Sequence, residues 1–143
     1  CEDTNVLISG DQVLPRITSH VSVFYYEPDG NPLRRFLASF DRFRHLPHDV
    51  LVLPSHNLPF RGLHDRLDAI TAHHRDRLEM THAACAEPRT TAELIGAIFS
   101  RPLDAIQTTF AFGETLAHTN YLVSDGRLAR EQASGGQIRF VRV

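Results

Sequence analysis

Two short aliphatic runs, each halted by a turn residue and each followed by a candidate ligand, limit what this chain can fold into. "VLIS", Val6–Ser9, closes on Gly10 and Asp11; "VLVL", Val50–Leu53, closes on Pro54, with Ser55 and His56 behind it. Runs this short and this apolar suit strands buried on both faces. Between them Leu33, Phe36, Leu37, Phe40 and Phe43 recur at spacings of three and four, the period of a helix with one apolar face. Pro32 suits a first helical turn and Pro47 ends the pattern. The order strand, helix, strand predicts a βαβ-like unit, hence an α/β layer. The stretch from Gln12 to Pro32, punctuated by Pro15, Pro28 and Gly30, reads as a loop with room for a short helix or strand around Val21–Tyr25.

Beyond the second run the pattern is helical. A long helix is expected from Gly62 to about Ala84, with Leu63, Leu67, Ile70, His74 and Leu78 as its inner stripe. Glu87 and Pro88 close it. Thr90 and Glu93 form a capping box ahead of a short helix that Arg101 and Pro102 break. Another helix is expected from Asp104 to about Ser124, with Ile106, Phe110, Gly113, Ala117 and Tyr121 on one face and Asp125-Gly126 as its stop. Two strands around Ser134-Gly135-Gly136 then read as a hairpin. Helix, helix, helix, hairpin is the order of a winged helix. The expected partition is 1–60 for the α/β part and 61–143 for the bridging helix and winged helix.

Composition excludes little. Hydrophobic residues make up 42% and charged residues 22%, ordinary globular usage, and the net charge is −2. Every basic side chain is arginine. No apolar run reaches the length of a membrane span, and no secretory signal pattern opens the chain. Cys1 and Cys85 lie too far apart for a metal or redox motif; two reduced thiols fit a cytoplasmic protein. The sequence begins "CEDTNVLISGD" and its only methionine is Met80. This is the pattern expected of a segment of a longer chain.

The chemistry lies where the two runs end. In open α/β sheets, ligands bind outside the carboxyl ends of the strands. A carboxylate and an imidazole converging there, Asp11 and His56, have the donor types that zinc takes. A carboxylate can also bridge two metal ions roughly 3.5–4 Å apart. Spacing alone leaves the plainer reading open, a turn aspartate and a loop-capping histidine.

The stretches "VLISGDQVLPRITSHVSVF" and "VLVLPSHNLPFRGLHDRLDAITAHHRDRL" together resemble the carboxy-terminal half of metallo-β-lactamase-fold hydrolases, the group of glyoxalase II-like thioesterases, lactonases and some nucleases. The segment from Arg89 to Leu128 resembles the winged-helix domain that follows this fold in one subgroup. The resemblance implies a partial αββα fold and a di-zinc hydrolase acting on a thioester, lactone or related small acyl substrate. It implies that Asp11 bridges the metals and orients the attacking hydroxide, and that His56 binds the second metal. The loop here reads Ser55-His56-Asn57, with both of the family's usual glycines replaced. The family's upstream His-x-His-x-Asp-His motif is absent from the chain, so the chain alone is expected to be catalytically incomplete. It is expected to pair with a missing amino-terminal half or to dimerise through an uncovered sheet face.

Other residues carry weaker signals. His20 follows the Asp11 loop and is a candidate for lining a substrate pocket. His73, His74 and His82 read as helix-surface and interface polarity, because adjacent helical residues point about 100° apart. His64 reads as a helix-start residue and His118 as structural. A nucleic-acid role competes with the acyl-hydrolase one, either as an endoribonuclease of the same fold or as a winged-helix regulator. The helix from Asp104 to Ser124 has no Arg or Lys, which argues against a phosphate-binding face. Arg127, Arg130, Arg139 and Arg142 on the hairpin leave a wing contact with a polyanion open.

Overall fold

The computed structural model describes Cys1 and residues 3–143. The elements, in chain order, are β1 (Val6–Gly10), α1 (Pro32–Ala38), a 3-10 segment (Ser39–Phe43), β2 (Leu51–Pro54), α2 (Leu63–Ala84), α3 (Thr91–Ile98), α4 (Ala105–Ser124), β3 (Leu128–Gln132) and β4 (Ile138–Arg142). They fall into two compact units, residues 1–19 with 37–73, and residues 20–36 with 74–143. Among the described residues no helix is long and apolar enough to cross a membrane.

In the first unit β1 and β2 pair in parallel, Val6 opposite Leu51, Leu7 opposite Val52 and Ile8 opposite Leu53, with a bulge between Ile8 and Gly10. A parallel pair needs a long crossover, which the α1 region supplies. The crossover is not the single helix that its apolar spacing predicts: α1 ends at Ala38 and tightens into the 3-10 segment. Ser39 and Asp41 favour that break, because short polar side chains compete for backbone hydrogen bonds. Phe40 and Phe43, three apart, keep one face in either helix type. Val13, Val52, Phe40, Leu63 and Leu67 form the unit's core.

In the second unit α3 begins with the expected capping box. Glu93 N–H donates to the Thr90 hydroxyl, and the Thr90 N–H donates to the Glu93 carboxylate at 2.8 Å. Asp104 caps α4 in the same way, with Gln107 as partner. β3 and β4 form an antiparallel hairpin, and β4 also pairs with Arg89 through Phe140. Asn120, buried on α4, donates to the Pro28 and Gly30 carbonyls at 2.9 and 2.8 Å and accepts from Arg130 at 2.5 Å.

The buried face of α4 is the expected one only in part: Gly113 and Ala117 are buried as expected, Ile106 and Phe110 are not. Ile106 and Phe110 are exposed; Ala111, Gly113, Thr115, Ala117 and Thr119 are buried. Close approach explains this. The backbone N–H of Val23 donates to the Gly113 carbonyl at 3.0 Å, in a loop that forms neither of the elements contemplated for Val21–Tyr25. A Cβ on Gly113 would lie 1.8 Å from the Ser22 hydroxyl and 3.1 Å from the Val23 carbonyl oxygen. Small residues are selected where backbones meet. We expect Gly113→Ala to lower stability by about 1–3 kcal/mol despite its better helix propensity, seen as a lower Tm.

Glu114, on the same helix, is largely desolvated. Burial pushes its carboxyl above the usual 4.5, opposed in part by Arg77. A carboxyl raised on folding favours the fold below its unfolded value, and that advantage is lost as pH rises through the folded one. Glu114→Gln should therefore raise Tm at pH 7, and the gap between variant and parent should close by about pH 4.

A carboxylate and an imidazole at the ends of parallel strands

Asp11 and His56 come together because β1 and β2 run the same way. Gly10 adopts φ +56°, and the bulge before it turns the chain out of the strand. The Ser55 N–H donates to the Gly10 carbonyl at 3.1 Å and joins the two exits. His56 Nε2 then stands 3.4 Å from Asp11 Oδ1. The Ser55 hydroxyl donates to the same carboxylate oxygen. Both side chains remain open, 64% exposed for His56 and 67% for Asp11, so each can take further partners.

The loops behind them are fixed. Asn57 carries φ +70°, which asparagine tolerates better than most residues. Phe60 returns to Val52 through two backbone hydrogen bonds of 2.8 and 3.0 Å, closing the His56 loop. On the Asp11 side, Ser9 Oγ donates to the Val13 carbonyl at 2.9 Å and the Ser19 hydroxyl donates to the Asp11 carbonyl. Arg66 of α2 donates to the Leu14 carbonyl at 2.6 Å and the Ile17 carbonyl at 2.8 Å. Residue spacing marked neither Ser55 nor Arg66. Both act through contacts between segments 44 to 52 residues apart.

The other expected residues lie elsewhere. His20 belongs to the second unit, its ring edge-on to Phe110 with centroids 4.9 Å apart, on the wall of an apolar cavity of ≈340 Å³. Desolvation there lowers its pKa from the ordinary 6.5. His64 Nε2 donates to the Leu46 carbonyl at 2.9 Å, and the ring lies tilted against His48, a structural role. His74 is buried, as its place on the inner stripe of α2 predicts and not as a helix-surface residue: its Nδ1 lies 3.4 Å from Nε2 of His118, and His118 Nδ1 donates to the Glu114 carbonyl.

A zinc-class ion takes about three or four protein ligands. Asp11 and His56 have suitable donor chemistry but are two. Among the described residues no group of three or more His, Cys, Asp or Glu could hold a metal ion. Among the described residues Asp11 and His56 are thus two donors of the roughly three or four that such an ion takes. The left-handed Asn57 sets the aim of the His56 loop. Asn57→Val should cost about 1–2 kcal/mol in thermal or denaturant unfolding, whereas Asn57→Gly should be neutral or stabilising.

Residues 78–143 match the family described as "Metallo-beta-lactamase-like, C-terminal domain". No curated protein matches the chain. A solved beta-lactamase domain protein from Burkholderia ambifaria is 49% identical, with a TM-score of 0.96 over 99% of this chain and 42% of that one. A metallo-beta-lactamase family protein from Thermus thermophilus is 34% identical, with a TM-score of 0.83 over 99% of this chain and 43% of that one. The chain thus spans about two fifths of the length of either solved protein.

Proposed function

We propose, on the premise that residues 78–143 are a metallo-beta-lactamase-like C-terminal domain, that the chain is the carboxy-terminal part of a metal-dependent hydrolase. Its substrate class is a thioester, lactone or related acyl compound. The observation that carries the reading is the convergence of Asp11 and His56 at the carboxyl ends of two parallel strands. Asp11 supplies a carboxylate able to bridge two zinc ions, and His56 an imidazole for the second. The remaining ligands come from outside these residues. When bound, such ions supply a water of lowered pKa and polarise the scissile carbonyl. The chain's own contribution is orientation: Ser55 holds one Asp11 oxygen, and the closed Val52–Phe60 loop holds His56. His20, on the wall of an apolar cavity in the second unit, is the proposed substrate-pocket residue.

The exposed face of the sheet supports a partial fold. Parallel sheets are ordinarily covered on both faces, yet Ile8 of β1 is 79% exposed. The cover is the ligand-bearing remainder of the protein, or failing that a second copy of this chain. The order α2, α3, α4, hairpin supports a winged-helix arrangement used for packing. A nucleic-acid role has less support. Arg127 makes a two-pronged ion pair with Glu79 at 2.9 and 2.8 Å, and Arg130 pairs with Asp29, so two of the four hairpin arginines are already neutralised. Two unlinked cysteines suit a cytoplasmic setting.

The test joins this chain to the ligand-bearing part and measures bound zinc together with thioester and lactone hydrolysis. Asp11→Asn and His56→Ala should each lower metal content and cut kcat/KM by at least about tenfold. His20→Ala should keep the metal and raise KM. Full metal content and activity in the Asp11 and His56 variants would sink the reading.

A further inference from the structure

The two loops that carry Asp11 and His56 also bound a cavity of ≈370 Å³, lined by Pro15, Arg16, Asn57, Leu58, Pro59 and Phe60. Four of these are apolar, one is an amide and one a guanidinium. Five of the fifteen arginines are held in ion pairs; Arg42, Arg75, Arg89, Arg139 and Arg142 share with Arg16 the lack of an ion pair or side-chain hydrogen bond among the described residues, and Arg16 is the one of these six on the wall of this cavity. Arg34 pairs with Asp125, Arg35 with Glu27, Arg44 with Asp68, Arg127 with Glu79 and Arg130 with Asp29. Arg16 makes no ion pair and no side-chain hydrogen bond among the described residues. A second cavity, of ≈450 Å³ in the other unit, also has an arginine on its wall, Arg130, but Asp29 already neutralises it.

The position of Arg16 is built rather than incidental. Arg66 grips the carbonyls of Leu14 and Ile17, on either side of it. Pro15 fixes the backbone immediately before it. The opposite wall is held by the paired hydrogen bonds of Val52 and Phe60 and by Pro59. A cation on a braced wall, with no anion among the described residues to answer it, is matched by an anion of the ligand.

We propose that Arg16 is a specificity-determining residue: it binds a carboxylate on an acyl substrate whose apolar stem lies against Leu58 and Phe60. The proposal rests on the hydrolase reading above and adds its substrate class, an ester or thioester bearing a free carboxylate. A single guanidinium with one amide neighbour, Asn57, balances one negative charge; a phosphate dianion would call for a second cation. The cavity walls continue the two loops that carry Asp11 and His56, and the proposal assigns the bound carboxylate and the scissile carbonyl to one molecule.

Binding of two probes to the 143-residue chain, hexanoate and its neutral counterpart hexanamide, tests this by amide NMR without any need for metal or turnover. Hexanoate should shift the Asn57, Leu58 and Phe60 signals saturably, and added salt should weaken it. Arg16→Gln should weaken hexanoate by about tenfold or more and leave hexanamide unchanged, with Arg16→Lys in between. Unchanged hexanoate binding in Arg16→Gln, hexanamide binding as tight as hexanoate, or shifts confined to other surfaces would overturn the proposal. The hydrolase reading fails separately: Asp11→Asn that spares hydrolysis in the joined protein overturns it while leaving the carboxylate site standing.

Discussion

The parallel pairing of β1 with β2 is the constraint on which the candidate site depends. A strand of five residues is roughly 17 Å long. Had the same two runs paired antiparallel, Asp11 and His56 would lie at opposite ends of the ladder. Parallel pairing brings them to 3.4 Å. It also forces the chain between them to cross over, which the α1 region and the 3-10 segment do. The bond from the Ser55 N–H to the Gly10 carbonyl continues the ladder past the last paired residues, so the loops inherit the rigidity of the sheet.

Much of this was legible in the sequence because it is local. Both strands, the α2 stripe from Leu63 to Leu78, the Thr90–Glu93 box and the glycine hairpin each follow from residues within a few positions of one another. What was not legible is set by distance or by size. The break of α1 at Ala38 hides behind a spacing of three that α and 3-10 helices share. On α4 the apolar bulk of Ile106 and Phe110 suggested an inner face, but the Ser22–Val23 backbone approaches so closely that only small side chains fit at Gly113. Ser55 and Arg66 act on segments far away in the chain. The pairing of His74 with His118, 44 residues apart, has no sequence signal at all.

Arginine is the chain's only basic residue, and its fork geometry is used repeatedly. Arg66 bridges two carbonyls of one loop. Arg127 binds both oxygens of Glu79, and that hydrogen bond holds the glutamate's pKa below its ordinary 4.5. Arg130 ties Asp29 to Asn120, and Asn120 in turn holds the Pro28–Gly30 turn. A lysine ammonium could supply the charge at these places but not the planar, two-directional donation. Net charge near zero therefore says little about binding here. What matters is where a guanidinium without an internal acceptor stands, and Arg16 stands on a cavity wall formed by the loops that carry Asp11 and His56.

Sheet completion and metal completion are linked on the proposed reading. Ligands in α/β layers gather at the carboxyl ends of strands, so whatever covers the exposed Ile8 face with further sheet also delivers side chains to the edge where Asp11 and His56 wait. A cation shared between the two parts binds only the joined state. Its binding free energy therefore adds to the stability of the junction, and removing it weakens both at once. The rigidity of the Asp11 and His56 loops serves this linkage. A ligand pair held at fixed separation loses little entropy when the ion arrives, so more of the coordination energy remains to hold the parts together.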